Sequence, residues 1–168
     1  MRFIKLALIS IAFFCLLLAA ISSLLPSSIN IVRTVDINAP ADSIRANLGN
    51  LANWKNWYAD YDSSKVTLSA NTTGRGATIN INNTIVTILK DSAGKVEALW
   101  QPGKGQPLPG EFNLVKKQTD SIVTVQWRFN YQVKWYPWEK FAAVFSDKAI
   151  GPFMEKSLEN LKLATEKL

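Results

Sequence analysis

The chain begins with a long apolar segment that carries no charged residue between Leu6 and Pro26. Only two basic residues, Arg2 and Lys5, precede it. An apolar helix of about 20 residues is long enough to span the ~30 Å hydrocarbon core of a bilayer. The sequence therefore divides into residues 1–28, a transmembrane anchor or a signal sequence, and residues 29–168, which have the mixed polar pattern of one globular domain.

The apolar segment has two interpretations at this level. A cleaved secretory signal has an apolar region of ~7–15 residues and a cleavage site of small residues. Here the segment is longer, and its best small-residue site, Ala20–Ser22, is followed by Leu24 and Leu25. We therefore favour an uncleaved single-pass membrane anchor. The basic residues before it would stay in the cytoplasm, which places the domain on the extracytoplasmic face.

Composition excludes several kinds of active site. The chain contains no histidine, the commonest general base and metal ligand, so triads that depend on histidine are impossible. Its one cysteine, Cys15, lies in the apolar segment, so the domain has no disulfide and no thiolate metal site. Glycine patterns typical of nucleotide-binding loops are absent as well. The sequence predicts no metal site and no cofactor.

The charge of the domain is modest. The whole chain has 19 Lys and Arg residues against 13 Asp and Glu residues, a net charge of +6. Removing Arg2 and Lys5 with the apolar segment lowers this to +4, and no basic run is longer than Lys116–Lys117. Such a surface attracts anionic headgroups weakly and gives no reason to expect a nucleic-acid partner.

The hydrophobic pattern of the domain predicts one strand, a helical segment and then a series of strands. Residues 29–37 form the first strand, and short helices run from Pro40 to about Tyr58, because Pro40 suits a helix start and apolar residues follow at helical spacing. The expected strands after it are 65–70, 77–82, 84–90, 95–100, 111–117 and 121–133. The last strand alternates most regularly, which is typical of an antiparallel strand with one covered face.

The C-terminal region predicts a long helix. An apolar stripe runs from Trp138 to Ala149, and it resumes at Met154 with Leu158 and Leu161. Gly151-Pro152 is expected to interrupt the helix, because proline cannot donate a backbone hydrogen bond. This helix is long enough to cover the apolar face of a curved antiparallel sheet. We therefore predict an α+β fold of about seven strands wrapped around it.

A family resemblance is carried by the segments Val35–Ile44 and Leu48–Trp57 and, near the C-terminus, by Ile150–Lys162. The first two look like the opening strand and short helices of the START-like (SRPBCC) superfamily, and the third looks like its closing helix. The polyketide cyclase/dehydrase branch of that superfamily is the most similar. The resemblance implies a helix-grip fold over residues 29–168. It also implies a hydrophobic cavity that binds lipids or polyketides, and in some members an enzymatic activity. The lack of histidine departs from members whose chemistry needs that residue.

Aromatic side chains are the candidate ligand contacts. Trp54 and Trp57 match the family's tryptophan pair, but aromatic residues at helical spacing usually belong to a core, and we favour that interpretation for the pair over a ligand contact. Trp127, Phe129 and Tyr131 share the face that the helix must cover. The complete set of pocket candidates is Trp54, Trp57, Trp100, Trp127, Phe129, Tyr131, Phe145 and Phe153. The pattern places no carboxylate in the interior, so it assigns no catalytic residue.

Three functions are compatible with these features. We expect first a membrane-tethered domain whose partner is a hydrophobic small molecule or a lipid. The alternatives are a polyketide cyclase-like enzyme that uses tyrosine or carboxylate chemistry, and a tethered interaction domain with a filled core. The segment Gln101–Gly110 is either a lid over the cavity or a long hairpin connection. The segment Lys134–Trp138 is a strand-to-helix corner, a pocket rim or a foot on the membrane surface.

Overall fold

A computed structural model describes residues 2–116 and 122–167, and over these residues the domain forms one seven-stranded antiparallel sheet. Lys117 and Ser121, at the ends of two predicted strands, and the C-terminal Leu168 lie outside the described residues. In chain order the strands are β1 (Ser28–Asn38), β2 (Val66–Leu68), β3 (Thr78–Ile81), β4 (Thr84–Ser92), β5 (Lys95–Pro102), β6 (Leu108–Lys116) and β7 (Ile122–Gln132). Their spatial order is β1-β7-β6-β5-β4-β3-β2, so β2 to β7 form a meander and β7 also pairs with β1.

The helices lie at the two ends of the chain and after β1. They are α1 (Arg2–Leu24), α2 (Ala41–Gly49), α3 (Pro137–Val144) and α4 (Ser146–Glu166), with 3-10 helices at Leu51–Asn56 and Ser63–Lys65. Asn50 begins the first of these 3-10 helices, because its side chain accepts a hydrogen bond from the Ala52 backbone amide at 3.0 Å. The two short helices expected after the first strand are confirmed.

Two asparagine residues form the tight hairpin between β3 and β4. Asn82 and Asn83 both have positive φ, 48° and 68°, in the two-residue turn between β3 and β4. This conformation matches the twist of a tight hairpin, and asparagine tolerates it better than most residues.

The connection between β5 and β6 is shorter than predicted. Of the expected Gln101–Gly110 loop, Gln101 and Pro102 still belong to β5, and β6 begins at Leu108. Gly110 pairs with Ala98 inside the sheet. The prediction failed because Pro and Gly residues were interpreted as turn signals, whereas Gly110 is needed for close packing against the sheet.

The C-terminal helix breaks at a different place from the one predicted. The break lies at Phe145, between α3 and α4, and Pro152 lies inside α4. The missing backbone donor of proline costs one helical hydrogen bond. Packing against β1 compensates, since Gly151 contacts the Arg33 guanidinium and a Cβ there would overlap it. Arg33 also forms ion pairs with Asp147 at 3.0 Å and with Glu155 at 2.6 Å, which hold α4 on the edge strand.

The buried face of α4 closes the hydrophobic core. Leu158 and Leu161 are buried, as expected from their position on the apolar stripe. Polar contacts join α4 to the helical segment after β1: the Ser157 hydroxyl accepts from the Ala59 amide at 3.1 Å, and Asn47 donates to Thr165 at 3.1 Å. The sheet, α4 and the short helices therefore enclose one core.

Charged residues cover the outer face of the sheet. Lys95 lies 3.0 Å from Glu97 and 2.6 Å from Glu111, and Glu111 lies 3.5 Å from Arg128. The hydrogen bond from Lys95 is the main reason why the pKa of Glu111 is lowered. This ladder of charges keeps the outer face in water.

The N-terminal helix α1 stands apart from this core. Phe3–Leu24 is long and apolar enough to cross a membrane by length and composition, and its apolar side chains are largely exposed. Helix α1 meets the domain at α3, where the Lys140 ammonium donates a hydrogen bond to the Leu25 carbonyl at 3.1 Å.

Candidate functional site

Aromatic rings fill the interior between the sheet and α4. Neighbouring ring centroids lie 4.8–6.3 Å apart, which is contact distance for offset and edge-to-face pairs. The aromatic cluster consists of Trp54, Trp57, Tyr58, Trp100, Phe112, Trp127, Phe129 and Phe153. Apart from the partly exposed Phe153, all of these side chains are buried. The centre of the fold is therefore a packed core.

Hydrogen bonds fix the tryptophan pair in this core. The indole nitrogen of Trp54 donates to the Leu48 carbonyl at 3.0 Å, and that of Trp57 donates to the Asn47 carbonyl at 3.1 Å. Both carbonyls belong to the C-terminal end of α2, where helical carbonyls lack partners within the helix. The pair thus joins α2 to the core.

Tyr58 is the one hydroxyl of the cluster. It accepts a hydrogen bond from the Trp100 indole at 3.1 Å. Burial raises the pKa of Tyr58 far above its ordinary value of 10. The phenol is therefore neutral at physiological pH, and its environment is opposite to the one that a phenolate base or nucleophile needs.

Gly110 permits the rings to lie directly on the backbone of β6. A Cβ at this position would be 2.5 Å from Cζ3 of Trp100 and 2.7 Å from Cε1 of Phe129. Neither ring could keep its place beside a larger residue. This role was not predicted from the sequence, in which the available signal was that Gly110 directly precedes the regular strand pattern of residues 111–117.

A groove of about 340 Å³ begins where the aromatic cluster ends. On β7, Phe129 belongs to the cluster and Tyr131, two residues further along the same face, lines the groove. On α4, Phe153 belongs to the cluster and Ile150, one turn earlier, lines the groove. The full lining is Pro102, Gly105, Gln106, Leu108, Tyr131, Val133, Glu139, Ala142, Ala143, Ser146 and Ile150.

Polar groups lie at the rim of this mainly apolar groove. The Tyr131 hydroxyl donates to Oγ of Ser146 at 2.8 Å. The Gln106 amide, in the loop between β5 and β6, donates to Oε2 of Glu139 on α3 at 2.8 Å. Lys134 lies 3.9 Å from the same carboxylate. The Gln106–Glu139 contact, which we call the latch, ties the loop to α3 across the groove.

The latch leads to a direct prediction about the loop. The replacement of Gln106 by alanine should accelerate hydrogen exchange at the Gly103 amide, which donates to the Asn83 carbonyl at 2.9 Å, by roughly three- to tenfold. The reason is that a hydrogen bond to a charged group contributes ~1.5–3 kcal/mol before solvent exposure weakens it. Exchange followed by mass spectrometry on the full chain measures this. Gln101→Ala, at an exposed position just before the loop, is the matched control. Equal exchange in both variants would show that the latch does not restrain the loop.

The sequence-predicted pocket residues occupy three different places. Tyr131 lines the groove. Phe145, between α3 and α4, is 62% exposed. The other six lie in the aromatic cluster: Trp54, Trp57, Trp100, Trp127, Phe129 and Phe153. Four groove residues were not predicted from the sequence: Leu108, Ala142, Ala143 and Ile150. The signal available for them was the pair of small residues on the apolar stripe of the C-terminal helix.

An exposed apolar patch lies beside the groove on α3. Trp135 and Trp138 are 75% and 68% exposed, and the rings of Tyr136 and Trp138 stack with centroids 4.9 Å apart. The α3 patch consists of Trp135, Trp138, Phe141, Val144 and Phe145. Because Lys140 on the same helix binds the end of α1, the patch lies next to the point where the apolar helix ends.

Comparisons with known proteins identify the fold. No protein-family model and no curated protein matches the chain. Among solved structures, the di-domain ARO/CYC BexL superposes with a TM-score of 0.65 at 14% identity, over 83% of this chain and 50% of that one. KanY superposes with a TM-score of 0.63 at 14% identity, over 84% and 99%. CalU16 from Micromonospora echinospora gives 0.58 at 12% identity, over 80% and 72%.

These similarities define the architecture. The chain shares with these three proteins the α+β fold described above, a seven-stranded antiparallel sheet packed on a long C-terminal helix. It spans half the length of BexL, which has two domains. At 12–14% identity the shared fold does not carry substrates or activities from those proteins to this chain.

Proposed function

We propose that the domain binds a small hydrophobic molecule in the groove, at the surface of a membrane in which α1 is a retained anchor. The observation that carries the proposal is the groove itself, a mainly apolar cleft beneath a latched loop. Its volume of about 340 Å³ is near the lower limit of the range typical of small-molecule sites, ~300–1,000 Å³. Because the aromatic cluster fills the rest of the interior, the ligand would lie in the groove.

Membrane attachment is supported by two neighbouring features. Helix α1 has the length and composition of a transmembrane span. The α3 patch exposes tryptophan beside the end of this helix, and tryptophan and tyrosine favour the interface between hydrocarbon and water. With α1 spanning the bilayer, the α3 patch would rest on its surface, and a lipid-derived ligand could enter the groove without crossing water.

The rim indicates which polar end such a ligand would carry. Tyr131 and Ser146 offer hydroxyl groups that both donate and accept, whereas Glu139 places a carboxylate at the same rim. The Lys134 ammonium lies 3.9 Å from this carboxylate, so the pair leaves little positive charge at the rim to attract a carboxylate on the ligand. We therefore expect an uncharged polar end, such as a hydroxyl, on an apolar chain or ring.

Filling the groove tests the proposal. Ala143 lines the groove, and Ala143→Trp should abolish binding because the indole would occupy the ligand's volume. Native mass spectrometry of the full chain, purified in detergent and incubated with dodecanol or dodecanoic acid, measures binding. Wild type should retain dodecanol more than the acid. Ala149→Trp, on the exposed side of α4, should bind as wild type does. Equal binding by both variants would overturn the groove as the site.

An enzymatic role is the second candidate, because the groove holds reactive groups. The Tyr131 hydroxyl and the Glu139 carboxylate both line it, and either could move a proton on a bound molecule. Turnover of a bound compound that is lost in Tyr131→Phe, with binding retained, would assign this role. Binding without turnover leaves the domain as a carrier or sensor of its ligand.

A further inference from the structure

A second cavity lies between the end of α1 and the start of α3, on the other side of α3 from the groove. Its volume is about 240 Å³. The lining consists of Ala19, Ser22, Ser23, Trp135, Pro137 and Lys140. It shares no lining residue with the groove, so its chemistry can be considered independently.

Lys140 gives this cavity a buried positive charge. The side chain is only 7% exposed, and its ammonium donates one hydrogen bond, to the Leu25 carbonyl. Within the described part of the chain it has no carboxylate partner, and the nearby Glu139 pairs with Lys134 instead. A buried ammonium has three N–H donors and is unfavourable without a counter-charge, so two donors and most of the charge are available to a ligand.

Ser22 adds a second unused donor to the same cavity. This residue is 3% exposed, and its hydroxyl has no hydrogen-bond partner among the residues described. Buried hydroxyl groups are normally hydrogen-bonded, so an orphaned one beside an unpaired ammonium indicates a missing acceptor. The Ser23 hydroxyl is not available as a donor to a ligand, because it donates to the Ala20 carbonyl at 2.7 Å.

The end of α1 does not cancel the charge of Lys140. The carbonyl end of a helix carries roughly −0.5 of an elementary charge, which is smaller than the full charge of an ammonium. The remaining field in the cavity is positive. An oxyanion with several acceptor atoms matches both donors, and phosphate oxygens are acceptors of this kind.

The position of the cavity favours a lipid headgroup as the source of the phosphate. Ser22 lies in the last turn of α1, which ends at Leu24, so in a bilayer this level is the boundary between hydrocarbon and headgroups. Ala19 forms the wall on the hydrocarbon side, and Trp135, which is 75% exposed, stands at the rim. A lipid could thus place its headgroup phosphate in the cavity and keep its acyl chains beside α1.

We infer that Lys140 and Ser22 form a binding site for the phosphate of an anionic phospholipid headgroup. The inference rests on the part of the proposed function that keeps α1 in the membrane, and it is independent of the groove. Its consequence is that a lipid would fix the orientation of α3 on the membrane. The same oxyanion chemistry would also fit a soluble phosphate compound, so the experiment separates the two sources.

The test uses the full chain in nanodiscs of phosphatidylcholine with or without 30% phosphatidylglycerol. Native mass spectrometry counts the phosphatidylglycerol molecules that stay on the released protein. Lys140→Met should lower the bound fraction about tenfold or more, and Ser22→Ala roughly fivefold, as expected for a charged and a neutral hydrogen bond. Lys148→Met removes an exposed charge on α4 and Ser10→Ala an exposed hydroxyl on α1, and both should bind as wild type does.

Other outcomes have distinct meanings. Equal lipid binding in Lys140→Met, Lys148→Met and wild type would overturn the site, and so would equal binding in Ser22→Ala and wild type. Binding of glycerol 3-phosphate in pure phosphatidylcholine discs, at the expense of phosphatidylglycerol in mixed discs, would show that the site takes a soluble phosphate rather than a lipid. The intact mass reports separately whether α1 is retained. Ala143→Trp should leave phosphatidylglycerol binding unchanged, so failure of the groove and failure of this site are distinguishable.

Discussion

Trp127→Ala is expected to destabilise the domain by about 3–5 kcal/mol, the range for truncating a fully buried aromatic side chain. The Trp127 ring packs among other aromatic rings, with centroids 4.9 Å from Phe112, 5.3 Å from Phe129 and 5.7 Å from Trp100. Its removal would leave a cavity that rigid neighbours cannot close. Urea unfolding of the full chain in detergent micelles, followed by near-ultraviolet circular dichroism, measures the loss.

Two further variants make the Trp127 experiment specific. Trp127→Phe should cost much less than alanine, because it keeps an aromatic ring and removes an indole N–H that is buried without a partner in the described structure. Trp138→Ala, at an exposed position, should change the unfolding free energy by less than about 0.5 kcal/mol. Ligand binding per folded molecule should be unchanged in Trp127→Ala. Reduced binding with little loss of stability would instead make Trp127 a ligand contact.

Leu161→Ala is the second substitution with a large expected effect, a destabilisation of about 2–5 kcal/mol. Leu161 is fully buried on the face of α4 that packs on the sheet. Leu163→Ala, two residues away at a 49% exposed position, is the matched control. It changes the intrinsic helix propensity by the same amount but removes little packing. Thermal unfolding of the two variants side by side measures the difference. Similar midpoints for both would mean that α4 does not cover the core as described.

The strands of this domain could be predicted because one face of the sheet is exposed to solvent and the other is covered. In β7 the alternation of apolar and polar residues places Trp127, Phe129 and Tyr131 on one face, and the structure confirms that arrangement. The same alternation does not show how much volume the covering elements leave free. Phe129 packs against the rings of Trp100 and Trp127, whereas Tyr131, two residues further along the same face, borders the groove.

The predictions that failed concern glycine and proline. Gly110 and Pro152 were interpreted as a loop residue and a helix breaker, yet Gly110 lies in β6 and Pro152 in α4. Both are tolerated because of partners distant in sequence, the Trp100 and Phe129 rings for Gly110 and the packing of α4 on β1 for Pro152. Local propensity cannot predict such partners.

The charged cavity at Lys140 could not be predicted from the sequence for the same reason. Lys140 and Ser22 are more than one hundred residues apart, and only the contact of α1 with α3 brings them to one cavity. Neither residue has a neighbour in sequence that indicates a ligand. The net charge of the chain, in contrast, was visible from the start and predicted no more than a weak attraction to anionic headgroups.

The central claim is that a hydrophobic ligand lies in the groove and not within the aromatic cluster. Photo-crosslinking of the full chain with a diazirine-bearing fatty alcohol, followed by peptide mapping, tests it most directly. The account predicts labels on groove residues such as Leu108, Tyr131 and Ile150, and their loss in Ala143→Trp. Labels concentrated on Trp54 and Trp57, or an unchanged pattern in Ala143→Trp, would contradict it.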